Sequence, residues 1–351
     1  MAGNRPLAVI KSCWYSFRSL VRWNEWASSK LPLVFAAFYY AILAQPQLGL
    51  AAFGELSGLV WILTLNACFG FAVNSYSDRL IDEAAGKPNA LSKMSNRRAL
   101  GVVSCFPLLA LPSALILYHD RYVLILLIGL SFLLAWAYSM PPVRLKEWEV
   151  GGLVAASTAQ RVLPATIVFQ AVEISNLASI SMCVLSGLVG LRYIVVHQIL
   201  DLDSDLRSGV GTMAVRRGED FMKTLLTRCF IPAEFLVLSS AIFLMSASAP
   251  GIGVMYVAYL FYFALQWYVS DREREKRFSA FSYWFFSDFY NVMLPTFLSI
   301  CLLVSLGTGL WPVVLFNFLW LNRGIRKELK RFFETFCELA TLRRRKSFSE
   351  R

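Results

Sequence analysis

The chain has 351 residues, of which 57% are hydrophobic and 16% are charged, and its net charge is +11. Its apolar residues come in runs of about 20, the length that an α-helix needs to cross a bilayer. A transmembrane β-barrel is excluded because stretches such as 177–191 are continuously apolar and do not alternate. A nucleic-acid-binding protein is excluded because no basic soluble domain carries the charge. We therefore predict an all-α membrane protein.

The predicted elements fall into three regions. Residues 1–30 mix aromatic and basic side chains, which predicts an amphipathic segment at the membrane interface. Residues 31–306 form the membrane domain. Residues 307–351 contain a short apolar segment at 311–321, predicted to be re-entrant, interfacial or a continuation of the last membrane helix, and then a basic amphipathic tail. About nine transmembrane helices are predicted in the middle region, near 31–48, 56–77, 100–117, 122–140, 150–171, 177–200, 225–246, 251–270 and 282–306.

Lysine and arginine are concentrated on one side of these helices. They occur in the connections 79–98, 143–147, 206–223 and 271–277, whereas the connections on the other side contain only Arg121. The positive-inside rule places the basic side in the cytoplasm. The expected location is a cell's inner or plasma membrane, crossed several times.

Two groups of oxygen-bearing side chains follow apolar runs on the basic side. Asn74, Asp78 and Asp82 are spaced four residues apart, so a helix places them on one face. Asp201 and Asp205 repeat this spacing. Unpaired carboxylates beside lipid repel one another unless a cation compensates them. Oxygen ligands suit Mg²⁺, so we predict all five as Mg²⁺ ligands and expect chemistry on a phosphorylated substrate.

Other ionisable residues lie within or beside the predicted helices. His197 stands one turn before the second group and is predicted to contact substrate, as a base or as an orienter of a ligand; an ordinary hydrogen-bonded histidine is the alternative. Asp203 points to another face and is expected to matter less. Arg161 and Arg192 lie inside predicted helices, with Asp288 as the obvious opposite charge. They form either a structural ion pair or a site that orients a substrate.

Three segments carry a resemblance to a known family: residues 74–82 read NSYSDRLID, 138–146 read YSMPPVRLK, and 201–212 read DLDSDLRSGVGT. In order and spacing they resemble the UbiA-type superfamily of intramembrane prenyltransferases. The resemblance implies helices around a central cavity and Mg²⁺ bound by the aspartates. It further implies an isoprenoid diphosphate donor, whose prenyl group passes through an allylic cation to a small acceptor, expected to be aromatic.

The chemistry of a departing diphosphate suggests further roles. Its developing negative charge would be shared by Lys146, Arg144 and Arg207, which lie within the segments 138–146 and 201–212. Tyr138 is a candidate for stabilising an allylic cation, with simple packing as its alternative. The predicted catalytic residues are Asp78, Asp82, Asp201, Asp205 and Lys146. The predicted substrate-binding residues are Asn74, Arg144, Tyr138, Arg207, Arg161 and His197.

The chain departs from the family after Asp82, where Lys87-Pro88-Asn89 stands in place of a frequent Arg-Pro pair. In many relatives that pair helps to fix the loop and the acceptor, so the departure leaves the acceptor undefined. Several functions therefore stay open. A membrane terpene cyclase would ionise the same donor and quench the cation intramolecularly, and a phosphoribosyl transferase would act on a polyprenyl phosphate. A cation transporter is least favoured, because its acidic residues would line a path through the middle of the membrane.

Overall fold

The computed structural model describes residues 14–49, 51–84, 86–269 and 285–349, and the regular elements within these ranges are helices. Seven of the described helices are long and apolar enough to cross a membrane, and two apolar helices, Leu31–Ala44 and Ile252–Tyr268, are shorter. The prediction of an all-α membrane protein is confirmed, and the predicted count of about nine transmembrane helices is approximate because it includes the two shorter helices. In chain order the apolar helices are α1 (Leu31–Ala44), α2 (Ala51–Ser77), α3 (Asn96–Leu117), α4 (Tyr122–Ser139), α5 (Glu149–Ala171), α6 (Leu177–Ser208), α7 (Glu219–Met245), α8 (Ile252–Val269) and α9 (Phe289–Leu306).

Helix α1 lies in the middle of the protein although it is short. Of its 14 residues 13 are buried, because its side chains are apolar around the whole circumference. At 1.5 Å per residue it is about 21 Å long, less than the hydrocarbon thickness of a bilayer. It ends at Gln45, whose backbone leaves the helical region before Pro46. Helix α1 packs mainly on α9 and α5 and lies beside the cavity described below.

Three helices contain a widened π-type turn. These turns, Thr158–Val162 in α5, Leu226–Phe230 in α7 and Phe289–Met293 in α9, each come just before a proline. Proline has no N–H and its ring crowds the preceding turn, so a wider turn keeps the helix continuous. The turn in α5 carries Arg161 and directs this residue toward the interior.

The buried arginine of α6 has a partner that the sequence analysis did not select. Arg192 Nε lies 2.7 Å from Glu234 Oε2 of α7, and both side chains are fully buried. Asp288 instead accepts a hydrogen bond from a tyrosine of α8 at 2.6 Å and lies 3.8 Å from Arg331. The prediction that Asp288 is the opposite charge for Arg161 and Arg192 is therefore wrong. Helices α6 and α7 are packing neighbours, which brings Glu234 to the arginine.

Beyond α9 the chain forms one long helix, α10 (Trp311–Ser349). Gly307, with φ of +92°, ends α9, so the alternative that 311–321 continues α9 is wrong. Helix α10 packs on α8 and α9. The indole Nε1 of Trp320 donates to the Ala27 carbonyl at 3.1 Å, which connects the C-terminal helix to the N-terminal segment.

The predicted interfacial segment is described from residue 14 onward. Val21 and Trp26 are fully buried, and the indole of Trp26 donates to the Val21 carbonyl at 2.7 Å. The end of this segment therefore belongs to the protein interior and borders the cavity. The predictions for residues 1–13, for the basic connection 271–277, for the start of the ninth helix at 282–284 and for residues 350–351 lie outside the described residues.

Candidate active site

The first oxygen-bearing group lies where α2 passes into a short helix, Arg79–Ala84. The N–H of Asp78 donates to the Asn74 carbonyl at 2.9 Å, and the N–H of Asp82 donates to the Asp78 carbonyl at 2.8 Å. These bonds have the i to i+4 pattern of an α-helix. The predicted placement of the three side chains on one helical face is confirmed.

The second group lies on the last two turns of α6, beyond its apolar part. Asp201 and Asp205 precede Gly209, which ends the helix in the left-handed conformation at φ of +69°. The Thr212 hydroxyl donates to Asp205 Oδ2 at 3.2 Å. Burial, and after it the negative charge of Asp201, raises the pKa of Asp205. The carboxylate of Asp205 beside that of Asp201 forms a site that a cation would stabilise.

The loop with the sequence YSMPPVRLK folds over the first group. The Ser139 hydroxyl donates to Asn74 Oδ1 at 3.2 Å. Lys146 Nζ donates to the two carboxylate oxygens of Asp78 at 2.5 and 2.6 Å and to Asn74 Oδ1 at 3.3 Å. Burial lowers the pKa of Lys146, and the charge of Asp78 opposes that shift. The ammonium group is therefore a cation held by two of the predicted metal ligands.

The two predicted phosphate-binding arginines are placed differently from Lys146. Arg144 Nη2 lies 3.2 Å from Asp78 Oδ1, and its Nε lies 2.5 Å from a carboxylate oxygen of Glu147. Arg207 Nε donates to the Asp203 carbonyl at 3.2 Å on its own helix. Neither arginine lines the cavity. Arg144 is thus paired with Asp78 and Glu147, and phosphate contacts by Arg144 and by Arg207 stay predictions.

Asn89 fixes the second carboxylate of the first group. Its Nδ2 donates to Asp82 Oδ2 at 2.7 Å and to the Ser75 carbonyl at 2.8 Å, while its Oδ1 accepts from the Leu91 N–H at 2.9 Å. Both the nitrogen and the oxygen of the Asn89 amide are therefore hydrogen-bonded. Sequence reasoning placed this residue in the segment that departs from the family and did not connect it with Asp82. The sequence feature that could have pointed to Asn89 is an asparagine directly after a proline in a short polar loop.

A single cavity of about 1220 Å³ connects the two groups. No three carboxylate, histidine or cysteine side chains of the described ranges converge on one metal position. Asp78 instead turns to Lys146, and Asp82 turns to Asn89. The side-chain oxygens at the ends of α2 and α6 are hard ligands, the type that Mg²⁺ prefers. Which of them bind the metal stays a prediction. The predicted site residues that line this cavity are Asn74, Asp78, Asp82, Tyr138, Lys146, Arg161, His197, Asp201 and Asp205.

The cavity continues from the carboxylates to aromatic and basic side chains. Phe71 and Tyr193 line it together with Arg161, which is only 6% exposed. Lys30, which precedes α1, also lines the cavity and was not selected from the sequence. The sequence feature that could have pointed to Lys30 is its position directly before a fully apolar helix. The cavity thus has an acidic end and a basic, aromatic part.

The fold and the cavity define a polytopic membrane protein with paired aspartate groups that face a space between its helices. The profile of the UbiA prenyltransferase family matches residues 31–290. Because the match covers most of the chain, this protein belongs to the UbiA prenyltransferase family.

Solved structures of other proteins share this fold. A UbiA homolog from Archaeoglobus fulgidus bound to DMAPP and Mg²⁺ has a TM-score of 0.55 and 15% identity, over 82% of this chain and 98% of that one. The form bound to GPP and Mg²⁺ also has a TM-score of 0.55 and 15% identity, over 82% of this chain and 99% of that one. At this identity the similarity shows the fold alone. A comparison with curated proteins found no match.

Proposed function

We propose that this protein is a Mg²⁺-dependent transferase that moves a prenyl group from a polyprenyl diphosphate to a small aromatic acceptor. The observation that carries the proposal is the one cavity lined by both aspartate groups and by Lys146. Its charged end lies beside an apolar interior, and an isoprenoid diphosphate has the same division into a charged head and an apolar tail. The family match supports the reaction class, and the DMAPP and GPP bound to the similar structures are donors of this chemical type.

The donor head group is proposed to bind at the acidic end. Both aspartate groups and Asn74 would hold Mg²⁺, which supplies Lewis-acid stabilisation of the departing diphosphate. Lys146 is already an ammonium donor at this end and would direct its N–H groups to a diphosphate oxygen. Arg144 keeps Asp78 in place through its own ion pair.

An aromatic side chain near the acidic end suits the proposed allylic cation. The bond between the prenyl C1 and the diphosphate oxygen breaks, and its electron pair leaves with the oxygen. The acceptor donates an electron pair to C1 and then loses a proton. Tyr138, next to the Ser139 that bonds Asn74, lines the cavity, where its ring would stabilise positive charge and exclude water. His197 lies on the same helix between Tyr193 and Asp201, and we propose it as the proton acceptor.

The basic connections support a proposal for which side of the protein faces the cytoplasm. Arg216 and Arg217 contact the chain where α5 begins: Arg216 Nη2 donates to the Glu147 carbonyl at 3.2 Å, and Arg217 pairs with Glu149, the first residue of α5, at 2.7 Å. The basic connections after α4 and after α6 are therefore joined on the aspartate-bearing side. We propose that this side faces the cytoplasm, where diphosphates and Mg²⁺ are available.

Turnover in lipid tests the proposal. Purified protein in nanodiscs is given geranylgeranyl diphosphate, Mg²⁺ and a panel of phenols, and pyrophosphate and prenylated product are measured. Asp78→Asn is expected to lower the rate about 100-fold or more, because one metal ligand and the partner of Lys146 lose their charge. Asp203→Asn is the matched control, since it removes the same charge from α6 at a residue that does not line the cavity.

Full activity of Asp78→Asn, or equal losses in the two variants, would contradict the assignment. If the donor alone gave a cyclised hydrocarbon or alcohol, the reaction would be cyclisation and not transfer to an acceptor.

A further inference from the structure

The N-terminal segment and helix α10 lie outside the residues that the family profile matches, and they contact each other. The profile covers residues 31–290, whereas the N-terminal segment is described over 14–30 and α10 follows α9. The indole Nε1 of Trp320 in α10 donates to the Ala27 carbonyl at 3.1 Å. The Trp320 ring also lies beside that of Trp23, with 5.9 Å between the ring centroids. These two parts of the chain therefore form one unit beside the matched helices.

The N-terminal segment contributes polar side chains to the wall of the cavity. Arg18, Arg22 and Glu25 line the cavity, and their spacing of four and then three residues is that of one helical face. Val21 and Trp26 do not line the cavity and are fully buried. The segment thus has charged side chains at the cavity and apolar side chains in the protein interior. Its position decides how the cavity is closed on this side.

A row of aromatic rings connects Trp320 to the cavity wall of α2. Trp23 contacts Trp26 with 4.9 Å between the centroids, and Trp26 stacks on Phe71 of α2 at 6.3 Å with the ring planes 16° apart. Phe71 lines the cavity two helical turns before Asp78, about 10 Å along the axis and on the same helical face. The contact of α10 with the N-terminal segment therefore reaches the face of α2 that carries the first aspartate group.

The N-terminal segment depends on these contacts for its position. Its helical turn Trp23–Trp26 has four residues and follows Arg22, whose backbone is left-handed at φ of +50°. Helices shorter than about 12–15 residues are marginal on their own in water. A non-glycine residue in the left-handed region adds a further conformational cost. Contacts with the rest of the protein, Trp320 among them, therefore hold the segment in place.

We propose that Trp320 is a positioning residue that holds the N-terminal segment on Phe71 and so keeps water out of the cavity. This inference rests on the proposed function, because water competes with the acceptor for the allylic cation. A water oxygen would donate its electron pair to the prenyl C1 and lose a proton, which gives a prenyl alcohol in place of the transferred product. With the segment in place, Trp26 covers Phe71 and this side of the cavity is closed.

Hydrogen exchange tests the positioning without any turnover. Full-length protein in nanodiscs, with neither donor nor Mg²⁺, is transferred to D₂O, and the exchange of amides in residues 14–30 is followed by peptide mass spectrometry. The N–H groups of Ala27 and Lys30 donate to carbonyls within the segment at 3.1 and 2.8 Å. These amides exchange only when the segment opens, so their exchange rate measures how firmly it is held.

Variants of Trp320 then locate the contact. Trp320→Phe keeps a ring and loses the donor to Ala27, and it is expected to speed the exchange about fivefold, as loss of one hydrogen bond does. Trp320→Ala also loses the ring contacts and is expected to speed the exchange at least about thirtyfold. Trp311→Ala is the matched control, because Trp311 is the first residue of the same helix and is 59% exposed. Exchange in α4 is expected to stay unchanged in all three variants.

Product analysis tests the exclusion of water. The variants are given geranylgeranyl diphosphate, Mg²⁺ and the panel of phenols, and geranylgeraniol and prenylated phenol are both measured. The share of geranylgeraniol is expected to rise several-fold in Trp320→Ala, to rise less in Trp320→Phe, and to stay unchanged in Trp311→Ala. This share does not depend on how much of the protein is folded, so a loss of stability alone leaves it unchanged.

Three results would overturn the inference: unchanged exchange of the segment in both Trp320 variants, an equal rise of exchange in α4, or faster exchange of the segment with no rise in the share of geranylgeraniol. Trp320→Phe keeps the test valid even if Trp320→Ala fails to fold. Absence of pyrophosphate release in the wild type would overturn the transferase proposal and the exclusion of water with it. The exchange experiment needs no substrate and decides by itself whether Trp320 holds the segment.

Discussion

Asn89 offers a sharp test of how the first aspartate group is built. Asn89→Ala removes the amide that donates to Asp82 Oδ2 at 2.7 Å, and it leaves the helix that carries Asp82 untouched. A hydrogen bond to a charged group contributes about 1.5–3 kcal/mol, which corresponds to roughly 10- to 150-fold in an equilibrium constant. Residues that orient a metal ligand typically change metal affinity by about 10- to 100-fold. We therefore expect the half-saturating Mg²⁺ concentration to rise at least about tenfold.

The assay is a Mg²⁺ titration of pyrophosphate release at saturating donor. Asn96→Ala is the matched control, because Asn96 also binds a charged side chain, accepting from Arg79 Nη2 at 2.6 Å, but does not line the cavity. Asn96→Ala is expected to leave the Mg²⁺ dependence unchanged. An unchanged Mg²⁺ dependence in Asn89→Ala would refute the reasoning that Asn89 holds Asp82 for the metal.

Two further outcomes are expected. Lys146→Met should lower kcat about 100-fold, as removal of one donor to a developing anion does, while Mg²⁺ binds more tightly because the competing ammonium is gone; weaker Mg²⁺ binding would contradict this. Glu234→Gln should destabilise the protein by about 3–5 kcal/mol, seen as a lower Tm in detergent, because the Arg192 charge stays buried; the double replacement of Arg192 and Glu234 by methionine should recover most of the loss.

The helical geometry of the site was predictable because it depends on local periodicity. The four-residue spacing of Asn74, Asp78 and Asp82 is sufficient to align them on one face, and the backbone bonds of the structure confirm it. The side chains that line the common cavity include both predicted aspartate groups. The apolar runs likewise located the membrane helices, since a bilayer imposes their length.

The pairing of charges was not predictable, because it depends on which helices pack together. Glu234 lies 42 residues from Arg192, and only the packing of α6 on α7 makes it a better partner than Asp288. Asn89 reaches Asp82 through a loop whose path has no periodic pattern. Lys30 appeared as one of many basic residues in the sequence, and only the fold shows that it lines the same cavity as Arg161.

The central claim is that the two aspartate groups act together on one diphosphate through divalent cations. The most direct measurement is an anomalous-scattering crystal structure with Mn²⁺ in place of Mg²⁺ and a geranyl thio-diphosphate that cannot ionise readily. The account predicts anomalous peaks at the acidic end of the cavity, bonded to diphosphate oxygens and to carboxylates of both groups, with Lys146 turned from Asp78 to the diphosphate. Peaks held by only one aspartate group, or a diphosphate bound away from Lys146, would contradict it.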